Sequence, residues 1–421
     1  MKLRRLSPDE VEHSRREAVD RDTLDRAAVI VERVRTGGEA ALREIAEELG
    51  DLAPGAPLVL GRDALETARD GLAPEVIALL ERTADRIAAF ADAQRHSLVD
   101  LKAPVPGGIA GHAVAPVERA GCYAPGGRYP LPSSVLMTAV TARAAGVAEV
   151  WVASPRPTAV TLAAAAVAGA DAVLAVGGAH AVAALAYGAG PVPACDVVVG
   201  PGNRWVTAAK KLVAGAVGID MLAGPSELVV LADGEADPAT VAADLLAQAE
   251  HDPDALPVLV TTSAALADAV DAELERQIAD LPTAATARAA LGHGFAVVVP
   301  DLDRAVAVCD RLAPEHLQVH TVDADTVSGR LAHWGGLFVG AAAAEVFGDY
   351  GAGPNHTLPT GGVARYKGGL SVLDFLRLRT WLRMEAGDDA DAMARDAAAL
   401  ARLEGLEAHA RAAELRVRDG D

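Results

Sequence analysis

Apolar and polar positions change rhythm along the chain. Over residues 23–49 and 74–96, apolar residues recur at helical spacing with charges between them, which predicts helices, and Gly37-Gly38 predicts a break in the first. Gly107-Gly108 marks a loop, and a different texture begins near Ala120. From there short continuous apolar runs alternate with helical stretches. Strands are predicted at 150–153, 172–176 and 196–199, and helices at 159–168, 179–187 and 205–213. Gly177-Gly178 and Gly200-Pro-Gly202 end two of these strands. A second set follows Ser226, with strands at 228–231, 257–260, 296–299 and 336–339 and helices between them. Asp237-Pro238 reads as an N-cap followed by proline at the first helical position. Uninterrupted apolar strands alternating with helices imply a parallel sheet covered on both faces. The three strand–glycine–helix units before Ser226 look like one Rossmann-type half. After about Ser371 the alternation stops, and residues 388–417 read as a charged, Ala-rich helical tail.

Composition narrows the class. At about 150 residues per domain, 421 residues suggest two to three domains. A net charge of −20 disfavours nucleic acid and anionic membrane as partners. A hydrophobic content of 51% excludes global disorder. Cys122, Cys195 and Cys309 lie far apart with no CxxC, which excludes a disulfide scaffold and a cysteine-cage zinc site and suits a reducing cytosol. The basic start is followed by Ser7-Pro-Asp-Glu-Val-Glu where an export signal needs an apolar segment, so a cytoplasmic protein is expected. Residues 159–190 are very apolar but consist mostly of Ala and Gly and contain Asp171 and His180; packed α/β structure is expected there, not a membrane span.

Several segments carry candidate chemistry. Gly200-Pro-Gly202-Asn-Arg-Trp205 follows a strand and opens a helix but lacks the third glycine of a dinucleotide fingerprint; a tight turn and a phosphate cradle both fit. Tyr123-Ala-Pro-Gly-Gly127-Arg128 fits an ordinary turn or close backbone approach by an anion. Gln248 and His251, three apart at a helix end, face one way; the pair suits half of a metal site or a solvated helix end. Glu315-His316 juxtaposes an acid and a base after Pro314, on a loop suited to proton transfer. Leu317, Val319 and Val322 predict a strand there, against a helical His316–His320 metal pair. Residues 347–362 form a Gly- and Pro-rich loop holding Asp349, Asn355 and His356. Glu404 and His409 lie in the tail, five apart and off a common helix face. Cys122 is the best placed of the thiols, and Cys195 and Cys309 read as core.

Taken in order, Tyr123-Ala-Pro-Gly-Gly, Gly200-Pro-Gly-Asn-Arg, Ala223-Gly-Pro-Ser-Glu, Gln248-Ala-Glu-His-Asp, Pro314-Glu-His and Gly353-Pro-Asn-His-Thr-Leu-Pro-Thr-Gly-Gly resemble the histidinol dehydrogenase family over nearly the whole chain. The resemblance implies zinc- and NAD-dependent oxidation of L-histidinol through histidinal to L-histidine. It implies zinc ligands Gln248, His251, Asp349 and, from the partner subunit of a homodimer, His409. His316 would take the alcohol proton, and Glu315 would activate water for the second oxidation. Ser226, His356 and the partner subunit's Glu404 would contact substrate, together with the zinc ligands and Glu315. Tyr123, His180 and Asn203 occupy NAD positions. The fold implied is α/β: two Rossmann-like domains with parallel sheets and helices on both faces, one inserted in the other, plus helical terminal segments. The boundaries expected are an N-terminal helical segment (1–22), a first domain carrying most zinc and catalytic residues (23–122 with 227–371), an inserted NAD-binding domain (123–226) and a C-terminal helical tail reaching the partner (372–421).

Two positions depart from the family pattern. His180 stands where the family usually has Gln, and the segment around Arg128 is more basic than usual. An arginine there fits relatives that oxidise a sulfonated diol, while Ser226, His356 and Glu404 favour histidinol. A zinc hydrolase would leave the Gly-rich turns without use. A non-catalytic relative would leave the Glu315-His316 pair without use.

Overall fold

The apolar runs become two six-stranded sheets. The computed structural model describes residues 2–11, 18–126 and 130–418; Arg128 therefore lies outside the described residues. The chain forms two compact units, one made of Met1–Ala93 and Val117–Phe375, the other of Gln94–Pro116 and Leu376–Asp421.

In the first unit, one sheet runs in the order Arg4–Leu6, Phe295–Val298, Leu256–Thr261, Glu227–Ala232, His316–His320, Gly336–Val339, and all its pairings are parallel. Its two central strands, Glu227–Ala232 and Leu256–Thr261, are buried along their whole length, because helices cover both faces. Leu228 and Leu245 are fully buried in this core; truncating either to Ala would cost about 2–5 kcal/mol.

The second sheet of this unit runs Val59–Gly61, Ala172–Leu174, Glu149–Ala153, Arg119–Tyr123, Val197–Val199, Gly218–Ile219. All its pairings are parallel except that of Val59–Gly61, which is antiparallel. Helix Gly178–Tyr187 is apolar apart from His180 and is buried along nearly its whole length. Helix Arg21–Glu48 begins at the Asp20 cap, which accepts the Thr23 N–H at 2.9 Å, and bends at Gly38, where φ is +56°. Its residues Ala27, Val31, Leu42 and Ile45 pack with Val182, Leu185 and Val206 of the second sheet's helices.

The second unit is an antiparallel sheet in the order Leu376–Met384, Gly108–Pro116, Leu101–Val105, with helices Asp388–Leu403 and Glu407–Glu414.

The sheets divide the chain differently from the expected boundaries. The N-terminal segment contributes an edge strand, Arg4–Leu6, paired with Phe295–Val297; three residues are too few to show a period. Residues 23–61 and positions 119–122 of strand Arg119–Tyr123, expected with the first domain, build the second sheet and its cover. The tail is not wholly helical: Leu376–Met384 is a strand, held by nine paired positions on Gly108–Pro116. Each of these memberships is set by pairing with a distant segment, which local periodicity does not report. Among the described residues no helix is long and apolar enough to cross a membrane.

Candidate active site

A cluster of carboxylates and imidazoles gathers around the amino ends of strands Glu227–Ala232 and His316–His320. Helix Leu302–Leu312 ends at Ala313 in the left-handed region, φ +47°, and Pro314 follows. This turn delivers Glu315 to the sheet edge, and His316 is the first residue of its strand, not part of a loop. Both are buried. Glu315 Oε2 accepts the Glu227 N–H at 2.8 Å, and the Ser226 side chain lies beside this carboxyl. His316 Nδ1 lies 3.0 Å from the Glu227 carbonyl oxygen. A carbonyl only accepts, so Nδ1 carries the proton and Nε2 keeps its lone pair. Nε2 is buried, makes no hydrogen bond among the described residues, and lies 3.9 Å from Asp349 Oδ1.

Helix Pro238–Ala249 starts at Asp237, which accepts the Ala239 and Thr240 N–H groups, as its cap motif predicts. Its last turn carries Gln248, fully buried, and His251 follows just past its end. The Gln248 amide faces two acceptors, so its nitrogen donates to the Glu227 carbonyl oxygen and to Glu345 Oε1, both at 3.2 Å. That leaves the oxygen, the cation-binding atom of an amide, for the other side. Short helix Glu345–Asp349 supplies two carboxylates one turn apart. Donor atoms of His251, Glu345 and Asp349 all lie within 4.8 Å of one another, with His251 Nε2 3.5 Å from Asp349 Oδ2. His356, in the loop that follows, donates from Nδ1 to the Asp349 carbonyl oxygen at 3.1 Å and meets Ser134 Oγ at 3.3 Å.

Burial shifts these groups. It pushes the Glu315 carboxyl well above its usual range. It does the same to Glu345, with Asp349 and Glu315 adding to the effect. It lowers His316 to about 4 and lowers His356 as well. Among the described residues, the ion pairs recorded for Glu315, Glu345 and Asp349 are with imidazoles only. Three carboxylates crowded in this way, with imidazole nitrogens and an amide oxygen, form a donor set that suits a divalent cation.

The nucleotide candidates lie at the carboxyl edge of the second sheet. Strand Arg119–Tyr123 sits between Glu149–Ala153 and Val197–Val199, so Tyr123 and Gly200 flank the switch point where such sheets bind ligands. Gly200 has φ +116°, and a side chain there would run into the Tyr123 carbonyl; one at Gly202 would strike Val206. Buried Lys210 and Asp220 pair with each other and bond the Gly200 carbonyl and N–H, holding this turn. The turn's own packing thus requires glycine at both positions, and it places the start of helix Arg204–Val213 at the sheet edge. Asn203 Oδ1 caps helix Arg204–Val213 through the Trp205 and Val206 N–H groups. Tyr123 Oη accepts the Gly178 N–H at 3.1 Å. His180 Nε2 is 3.3 Å from Asp51, which also accepts the Gly177 N–H. Helix Pro132–Ala145, beyond the Tyr123 turn, meets the polar loop through Ser134–His356 and through Asn355 Nδ2, which donates to the Met137 carbonyl oxygen at 2.8 Å.

One chain thus brings together Ser226, Gln248, His251, Glu315, His316, Asp349 and His356, while Glu404 and His409 belong to the second unit and are exposed. Sequence reasoning missed Glu345; its four-residue spacing to Asp349 was the one local signal. All three cysteines are buried, and burial pushes the Cys122 thiol up to about 12, which removes it as a nucleophile.

The fold and this cluster define an α/β enzyme with a buried acid–base pair beside a cation-suited donor set. The histidinol dehydrogenase family model matches residues 13–417. Histidinol dehydrogenase from Methylococcus capsulatus is 44% identical over 96% of this chain and 93% of its own length. That from Thermus thermophilus is 46% identical over 92% and 93%. The crystal structure of histidinol dehydrogenase from Elizabethkingia anophelis superposes with a TM-score of 0.91 at 28% identity, covering 98% of both chains. The chain belongs to the histidinol dehydrogenase family, NAD-dependent oxidoreductases that catalyse the final steps of histidine biosynthesis.

Proposed function

We propose that this chain oxidises L-histidinol through L-histidinal to L-histidine, with two molecules of NAD and one zinc ion per subunit, at sites shared across a homodimer. The observation that carries the reading is the meeting of His251, Asp349 and, through Glu345, Gln248 with the buried Glu315–His316 pair. Gln248, His251, Asp349 and the partner subunit's His409 would hold the zinc. When bound, zinc holds the imidazole and amine of the substrate, and NAD accepts the hydride.

The residues act as follows. His316 is neutral, with its proton fixed on Nδ1 by the Glu227 carbonyl, so Nε2 takes the hydroxyl proton as the carbinol carbon gives up its hydride. Water then adds to the aldehyde. Glu315, whose proton affinity burial raises, takes a proton from that water. The hydrate anion so formed gives its hydride to the second NAD, and the resulting acid releases its proton to water and leaves as the carboxylate product. Ser226, His356 and the partner subunit's Glu404 contact the substrate. Tyr123, His180 and Asn203 hold NAD at the sheet edge. Leu400, Leu403 and Leu406 are exposed in the second unit, as are Leu378 and Leu382, an apolar surface that supports a partner subunit.

The test is NADH formation with histidinol and a sulfonated diol side by side. Turnover of histidinol alone supports the reading. Turnover of the diol alone moves the chain to the sulfonate-oxidising relatives, and turnover of neither rejects a dehydrogenase acting on either.

A further inference from the structure

Glu345 stands outside the residue set that the family resemblance supplies, yet it lies at the centre of the cluster. It is buried, begins the short helix that ends in Asp349, and offers an oxygen within 4.8 Å of donor atoms of His251 and Asp349. Its Oε1 accepts the Gln248 amide N–H at 3.2 Å, and the Glu227 carbonyl takes the other N–H at the same distance. Its Oε2 is buried and makes no hydrogen bond among the described residues.

We propose that Glu345 is a positioning residue for metal binding: it orients the Gln248 amide so that the oxygen, not the nitrogen, meets the cation. This rests on the zinc reading above. An amide is nearly symmetric in shape but not in charge. Turned by half a rotation it would aim N–H groups at a cation and press its oxygen against two acceptors. The Glu227 carbonyl alone supplies one acceptor; Glu345 supplies the second and makes the wrong orientation repulsive on both sides. Gln248, His251, Asp349 and the partner subunit's His409 already provide the four donors that zinc prefers, so Glu345 is not needed as a ligand. Groups that hold a ligand in orientation typically change metal affinity by about 10–100-fold when removed.

The experiment is zinc affinity of the metal-stripped full-length protein, by competition with a chromophoric chelator. The variants are Glu345→Gln, Glu345→Ala, Gln248→Ala and the double variant Glu345→Ala/Gln248→Ala. Glutamine at 345 keeps an acceptor for Gln248, so Glu345→Gln should stay within about threefold of the native protein, while Glu345→Ala should lose about 10–100-fold. In the Gln248→Ala background, Glu345→Ala should cost no more than about twofold further, because the group it acts through is gone. Equal losses for Glu345→Gln and Glu345→Ala, or full additivity with Gln248→Ala, would make Glu345 a direct ligand and overturn the proposal while leaving the zinc reading intact. Native protein that takes up no zinc overturns both. Thermal unfolding of each metal-free variant checks the fold. If Glu345→Ala does not fold, Glu345→Gln decides: near-native affinity supports the proposal, and a loss matching Gln248→Ala overturns it.

Discussion

Glu315 accepts the backbone N–H of Glu227 at 2.8 Å, and this bond ties a buried acid to the strand on which the neighbouring His316 also leans. The two side chains are therefore held by one residue, yet the proposed reaction gives them different roles. His316→Asn should depress both oxidations by about 10²–10⁴-fold, the usual scale for a general base. Glu315→Gln should spare the first hydride transfer and slow the aldehyde step. Single-turnover NADH bursts with histidinol and with histidinal measure each step, and equal slowing of both by Glu315→Gln would contradict the division.

Metal and nucleotide candidates occupy different sheet edges. His251→Ala or Asp349→Ala should abolish zinc uptake and turnover while leaving NAD affinity near native. Calorimetric titration with NAD reads this directly, and joint loss of zinc and NAD binding would refute the separation.

The tail makes a prediction about assembly. Glu404 and His409 are exposed in the second unit, on helices whose Leu400 and Leu403 are also exposed. If each tail completes the other subunit's site, inactive His316→Asn and His409→Asn proteins should recover activity when their subunits exchange. Equal random mixing makes half the dimers mixed, each with one intact site, so about a quarter of native activity should return. No recovery after proven exchange means that each site is self-contained.

The buried Lys210–Asp220 pair holds the Gly200 turn from both sides. Lys210→Met leaves Asp220 charged and unpaired in the core, which should destabilise the protein by about 3–5 kcal/mol. Denaturant unfolding measures the loss.

Burial pushes the Cys122 thiol up to about 12 and raises Cys195 and Cys309 as well. Native protein at pH 8 should therefore resist alkylation by iodoacetamide without loss of turnover, and label only after unfolding. Rapid inactivation with one thiol labelled would restore a catalytic cysteine.

Much of the protein was legible locally. The alternation of apolar runs with helical stretches announced parallel sheets, and Asp237-Pro238 announced a helix start, because side-chain period and capping are properties of a few neighbouring residues. The ordered motifs identified the family. Tertiary structure decided the rest. Arg4–Leu6 and Leu376–Met384 became strands only by pairing with Phe295–Val297 and Gly108–Pro116, far away in sequence. Glu345 joined the cluster because its helix meets the end of the helix carrying Gln248, almost a hundred positions earlier. The sequence by itself determined which residue types are present and where most of the strands and helices of the two larger sheets begin and end. Only folding determined that Glu315, His316 and Glu345 are withdrawn from water, and the removal of solvent is what shifts their proton affinities.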